Sequence, residues 1–68
     1  MKRQVELDDK KITRAMVERG LTTKMVAENY GISYQRTCAL LNQKHATLGT
    51  IKKLAAAIGC EAIDIIAE

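Results

Sequence analysis

Sixty-eight residues, 47% of them hydrophobic and 28% charged, suit one small globular domain with room for a single core. The net charge of +3 favours a polyanionic partner, no apolar run approaches the roughly 20 residues of a membrane span, and the charged start "MKRQVELDDKK" lacks the apolar stretch of a signal peptide, so a cytoplasmic protein is expected. Cys38 and Cys60 stand far apart with His45 the one histidine, which offers no metal-ligand spacing and no cofactor motif and predicts two free thiols.

Residues 1–7 read as an N-terminal arm and 8–68 as the domain. In the arm, Val5 and Leu7 alternate about Glu6 as in a short strand or extended segment, and Lys2 and Arg3 form a basic pair, either a free tail or an arm along a nucleic acid. The chain has no proline, so caps and glycines punctuate it. Asp8, Thr22, Ser33 and Thr47 each suit an N-cap. They follow Leu7, Leu21, Ile32 and Ala46, and Ile12, Val26, Thr37 and Ile51 stand at the spacing that closes a hydrophobic staple, with threonine in the apolar place of the third. Gly20, Gly31 and Gly59 mark the far ends.

These signals predict helices over 8–19, 22–30, 33–42 and 47–58 and a short fifth helix over 62–67. Helical spacing turns inward Ile12, Ala15 and Met16; Val26, Ala27 and Tyr30; Thr37 and Leu40; Leu48, Ile51, Leu54, Ala55 and Ile58; and Ile63 and Ile66. A short fifth helix cannot aim Ile63, Ile65 and Ile66 all at one small core. Ile65, and with it Leu41, is therefore left for another surface, and Ile65 with Ile66 beside it is the candidate dimer contact.

Only Gly31 and Ile32 separate the second helix from the Ser33 cap of the third, which forces a sharp crossing, and Ala27 is small enough to let the two helices approach. The stretch "GLTTKMVAENYGISYQRTCALLNQKHATLGTIKKLAAAIGCEAIDII", residues 20–66, resembles the lambda-repressor-like, or XRE-type, helix-turn-helix family of bacterial and phage DNA-binding regulators. Leu21 before the second helix, Ala27 inside it, the Gly31-Ile32-Ser33 turn, Asn42 closing the third helix and "TLGTIKKLAAAIG" as the fourth carry the resemblance. Tyr30 stands where the family usually has leucine or valine, Thr37 where it prefers isoleucine or valine, and Gln43 where a glycine is common. Tyr30 and Thr37 each bring a hydroxyl that needs a partner.

The resemblance implies an all-α, five-helix domain whose third helix enters the DNA major groove, with base-reading positions at Tyr34, Gln35 and Ala39. Helical spacing independently puts residues 35, 39 and 42 on a face away from Thr37 and Leu40. Gln35 can pair with adenine through both ends of its amide, and Ala39 can pack on a thymine methyl. Arg36 suits either a guanine edge or a phosphate; Tyr34 suits a thymine methyl, a phosphate or a shielding role at the turn. Thr22 and Thr23 open the second helix, where free amides attract phosphate, and Asn42, Gln43, Lys44 and His45 resemble the family's second phosphate-binding segment.

A Cro-like repressor is the function this implies: a homodimer on an inverted-repeat, double-stranded operator with half-site centres about 34–36 Å apart or a multiple of that. The chain stops directly after the fifth helix, from which regulation by occupancy alone is expected, without a small-molecule effector or membrane partner. The alternative is a protein-interaction module on the same fold, an antitoxin or antirepressor. An enzyme is not expected, because Cys38 and His45 have no third group to orient them.

Overall fold

The computed structural model describes residues 3–67; Met1, Lys2 of the basic pair and Glu68 lie outside the described residues. The chain runs β1 (Gln4–Glu6), α1 (Asp9–Glu18), α2 (Thr23–Tyr30), α3 (Tyr34–Leu41), β2 (His45–Thr47), α4 (Leu48–Ile58) and a single 3-10 turn (Ala62–Asp64). The domain is mostly helical, with one small antiparallel sheet.

Each α-helix starts on the residue whose chemistry asks for it. The Asp8 carboxylate accepts from the amides of Lys10 (2.9 Å) and Lys11 (3.2 Å), and the hydroxyls of Thr22, Ser33 and Thr47 accept from Met25 (3.3 Å), Arg36 (3.2 Å) and Thr50 (3.4 Å). Each such cap satisfies an otherwise orphaned amide and contributes about 1 kcal/mol. Gly31 ends α2 at φ 89°, a left-handed conformation that lacks a steric penalty only without a Cβ, and the amides of Gly31 and Ile32 both return to the Ala27 carbonyl.

Burial follows the helical period through the first four helices. Ile12, Ala15, Val26, Ala27, Thr37, Ile51, Leu54, Ala55 and Ile58 are buried, and Met16, Tyr30 and Leu40 pack partly buried against the core. α4 packs on α2, and α2 on α3. The Asn29 Nδ2 donates to the Ala57 carbonyl (3.0 Å) and fastens α2 to α4. At the other end, the Arg19 guanidinium donates to the carbonyls of Gly59 (3.1 Å) and Ala15 (3.2 Å), bridging the C-terminal ends of α1 and α4.

The two chain ends differ from the sequence expectation. The fifth helix is only one 3-10 turn, with the Glu61 amide donating to the Asp64 carboxylate at 3.1 Å, after which the chain extends. A 3-10 turn holds three residues per turn rather than 3.6, so the inward phase shifts. Ile65, expected at a second surface, is fully buried at 0% exposure, and Ile63, expected inward, is 64% exposed. The dimer contact proposed at Ile65 is thereby corrected: its side chain is core. Ile66 is half-buried and faces Leu7 across an antiparallel bridge. Leu48, also expected inward, is 49% exposed, because a side chain at the first helical position leans past the helix start.

β1 pairs with β2 in the register Gln4↔Thr47, Val5↔Ala46, Glu6↔His45, continued by Leu7 N–H to the Lys44 carbonyl at 2.7 Å. On the other edge, Asp8 N–H donates to the Ile65 carbonyl, Ala67 N–H to that of Glu6 (both 3.0 Å), and the Lys11 ammonium to that of Ile66 (3.1 Å). Leu7 is itself buried core. From Gln4 on, the N-terminal segment is strand and core rather than free arm.

Candidate nucleic-acid interface

α2, the Gly31-Ile32-Ser33 turn and α3 form a helix-turn-helix unit whose second helix is held by its buried side. Thr37 is 0% exposed, and its hydroxyl donates to the Ser33 carbonyl at 2.9 Å, which supplies the partner that a buried hydroxyl requires. Leu40 and Leu41 pack half-buried against the core. With that side fixed inward, Gln35, Ala39 and Asn42 emerge exposed on the opposite side.

Two grooves border this ridge. One runs between α1, α2 and the end of α3 and brings Thr22 and Thr23 together with Leu41 and Asn42. The other collects Arg36, Ala39 and Gln43 from α3 and its exit, Tyr30 and Ile32 from before it, and Thr50 from the first turn of α4. Arg36 and Gln43 therefore share one flank, away from the Thr22–Asn42 groove. Lys44 and His45 are exposed beyond both, where the chain enters β2, and His45 stands opposite Glu6.

Tyr34 is 56% exposed at the first turn of α3, beside the Cys38 thiol one turn on. A hydrogen bond with Cys38, the like charge of its thiolate, and a little desolvation push the Tyr34 phenol above its ordinary pKa of 10.0. At neutral pH it is protonated, and its O–H is a donor.

Thr50 gave no sequence signal as a surface residue of this flank, although its place three residues after the Thr47 cap, with the two hydroxyls 3.1 Å apart, foreshadows a position in the first turn. The bond from Leu7 N–H to Lys44 was equally hidden, since it joins residues far apart in the chain. Asp9 also reaches the groove of Thr22, Thr23 and Asn42, adding a carboxylate to a cluster otherwise suited to anions.

Among the described residues, both cysteines are free, no cluster of three or more His, Cys, Asp or Glu could hold a metal, and no helix is long and apolar enough to cross a membrane. Residues 11–67 match the Cro/C1-type HTH DNA-binding domain, and the chain belongs to that family of DNA-binding transcription regulators, which is non-catalytic. No curated protein and no solved structure matches the chain.

Proposed function

We propose that this protein is a sequence-specific repressor of the Cro-like kind, binding an inverted-repeat operator as a homodimer with one α3 in the major groove of each half-site. The observation that carries the reading is the division of α3 into a buried side anchored by Thr37 and an exposed side bearing Gln35, Ala39 and Asn42. Gln35 supplies the paired donor and acceptor that adenine presents in reverse, and Ala39 meets a thymine methyl. Tyr34 reaches the groove edge at the first turn. Arg36, on the flank with Thr50, grips the sugar-phosphate wall.

Thr22, Thr23 and Asn42 make one phosphate cluster, and Gln43, Lys44 and His45 a second along the exit from α3. Such contacts fix orientation without reading sequence. Ile63 is the exposed apolar residue at the C-terminal end, with Ile66 half-buried nearby in sequence, and Ile63 is the contact we assign to dimer formation.

Selection of bound duplexes from a random pool tests this directly, with a two-fold symmetric site as the expected outcome. Gln35→Ala, compared at one salt concentration, should weaken the selected site by about 1–3 kcal/mol and leave random DNA little changed. Equal weakening of both would reject Gln35 as a base reader. A protein-binding module on the same fold would instead need a continuous apolar surface along the exposed side of α3, where Tyr34 and Ala39 stand among the polar Gln35, Arg36 and Asn42.

A further inference from the structure

We propose that β1 is a positioning element for DNA binding: it holds the Gln43–His45 segment where its side chains meet phosphate, acting through the backbone of Lys44 and β2. The inference rests on the assignment of that segment to phosphate contact and extends it to residues that touch no DNA.

Two observations converge on this role. No non-glycine residue described has a positive φ, so the chain leaves α3 through Asn42 and Gln43 without a left-handed residue to redirect it. Gln43 N–H still returns to the Leu40 carbonyl of α3 (3.2 Å), and from Lys44 onward the direction is supplied from outside, by Leu7 N–H on the Lys44 carbonyl (2.7 Å) and by the pairing of Val5 with Ala46 and Glu6 with His45.

The segment is thus pinned at both ends while its side chains stay in solvent. Asn42 N–H donates to the Cys38 carbonyl at 3.1 Å, and Ala46 is buried in the core. Between them, Gln43, Lys44 and His45 are all exposed. An exposed lysine on an untethered loop would lose conformational freedom on meeting phosphate; one on a fixed backbone loses less and binds more tightly.

Strand alternation makes the test sharp. Amides two residues apart point to the same edge, so Val5 N–H faces β2 as Leu7 N–H does, whereas Gln4 N–H faces the other edge. Val5→Pro removes a bond to β2; Gln4→Pro removes none. The probe is a short duplex of random sequence, because phosphate contacts do not depend on sequence, and binding is measured across a salt series below the unfolding temperature of every variant.

Val5→Pro should lose affinity by about tenfold, equivalent to about 1.4 kcal/mol. Its salt slope should fall by about 1, as for Lys44→Ala. Gln4→Pro should match the parent in both. Introduced into Lys44→Ala, Val5→Pro should cost little more, since both remove the same contact. A folded Val5→Pro protein with parental affinity and slope, or full additivity with Lys44→Ala, overturns the proposal.

Hydrogen exchange on the unaltered protein supplies a reading that survives any misfolded variant. Linkage requires that DNA stabilise the pairing that stabilises its own binding, so duplex should slow exchange of the Leu7 amide; exchange indifferent to duplex overturns the proposal. A parent chain that ignores duplex altogether would instead reject the DNA-binding reading beneath it.

Discussion

Thr37 is polar, fully buried and central to the orientation of α3. Its hydroxyl and its amide both donate to the Ser33 carbonyl, at 2.9 and 3.0 Å. Replacing it by valine therefore leaves that carbonyl paired: one neutral hydrogen bond worth about 1 kcal/mol is exchanged for a buried methyl worth about 0.8 kcal/mol. Urea denaturation should find Thr37→Val within about 1 kcal/mol of the parent, while Thr37→Ala, which adds a cavity, should cost about 2 kcal/mol. A large loss in Thr37→Val would mean that the hydroxyl does more than satisfy itself. Cys60 is governed by the same economy of burial. Desolvation pushes its thiol above the ordinary 9.0, with Arg19 opposing and Asp64 and Glu61 adding to the rise. Because the thiolate is the reactive form, a Cys38→Ala protein should alkylate slowly at neutral pH, and its rate should climb through a midpoint above that of a free cysteine. A midpoint at or below the free value would place Cys60 in a different environment.

At the scale of elements, the turn between α2 and α3 decides where α3 points, and its critical residue is Gly31. A Cβ built there meets nothing within 4 Å, so the cost of Gly31→Ala is backbone strain alone, about 1–2 kcal/mol at a positive φ. Gly31→Asn should cost less, because asparagine tolerates the left-handed region, and thermal unfolding of the pair would expose any hidden clash if both lost equally. The turn and the four caps were readable because each depends on residue types a few positions apart. Asp8, Thr22, Ser33 and Thr47 carry their own evidence in their hydroxyl or carboxylate oxygens. β1 and β2 carry none of that kind. Three residues each, they owe their conformation to partners at the far end of the chain, and Val5-Glu6-Leu7 alternates too briefly to announce a strand. The same limit hid the chain end, where spacing extrapolated from α-helical turns misjudged Ile63 and Ile65 once the backbone tightened to 3-10 and then extended. The exposed side of α3 was legible from sequence because helical periodicity alone sets it, whereas the grouping of Arg36 with Thr50 depends on how α4 packs.

For the whole molecule, the issue is how a domain of this size gains selectivity for DNA. On the proposed reading one α3 offers few side chains to the bases, and each good base contact discriminates by only about 1–3 kcal/mol. Two copies on one site double that discrimination if their spacing is rigid. Ile63, 64% exposed, is the residue on which such a pairing is proposed to rest. Ile63→Lys should leave the unfolding transition near that of the parent, since little of the side chain is buried, while shifting sedimentation from dimer to monomer. A parental dimer in that variant would move the interface elsewhere. The proposed two-fold arrangement also makes a demand on the DNA that no single-domain contact can imitate. Half-sites separated by whole turns face the same side of the duplex, so inserting about 5 base pairs, half of the roughly 10–10.5 of a turn, rotates one half-site away from its α3. Affinity for the selected site should then fall to that of an isolated half-site, and an insertion of about 10 should recover much of it, as far as the dimer's own span allows. Affinity unchanged by the half-turn insertion would mean that the two copies bind independently, and the protein would then be reading half-sites rather than an operator.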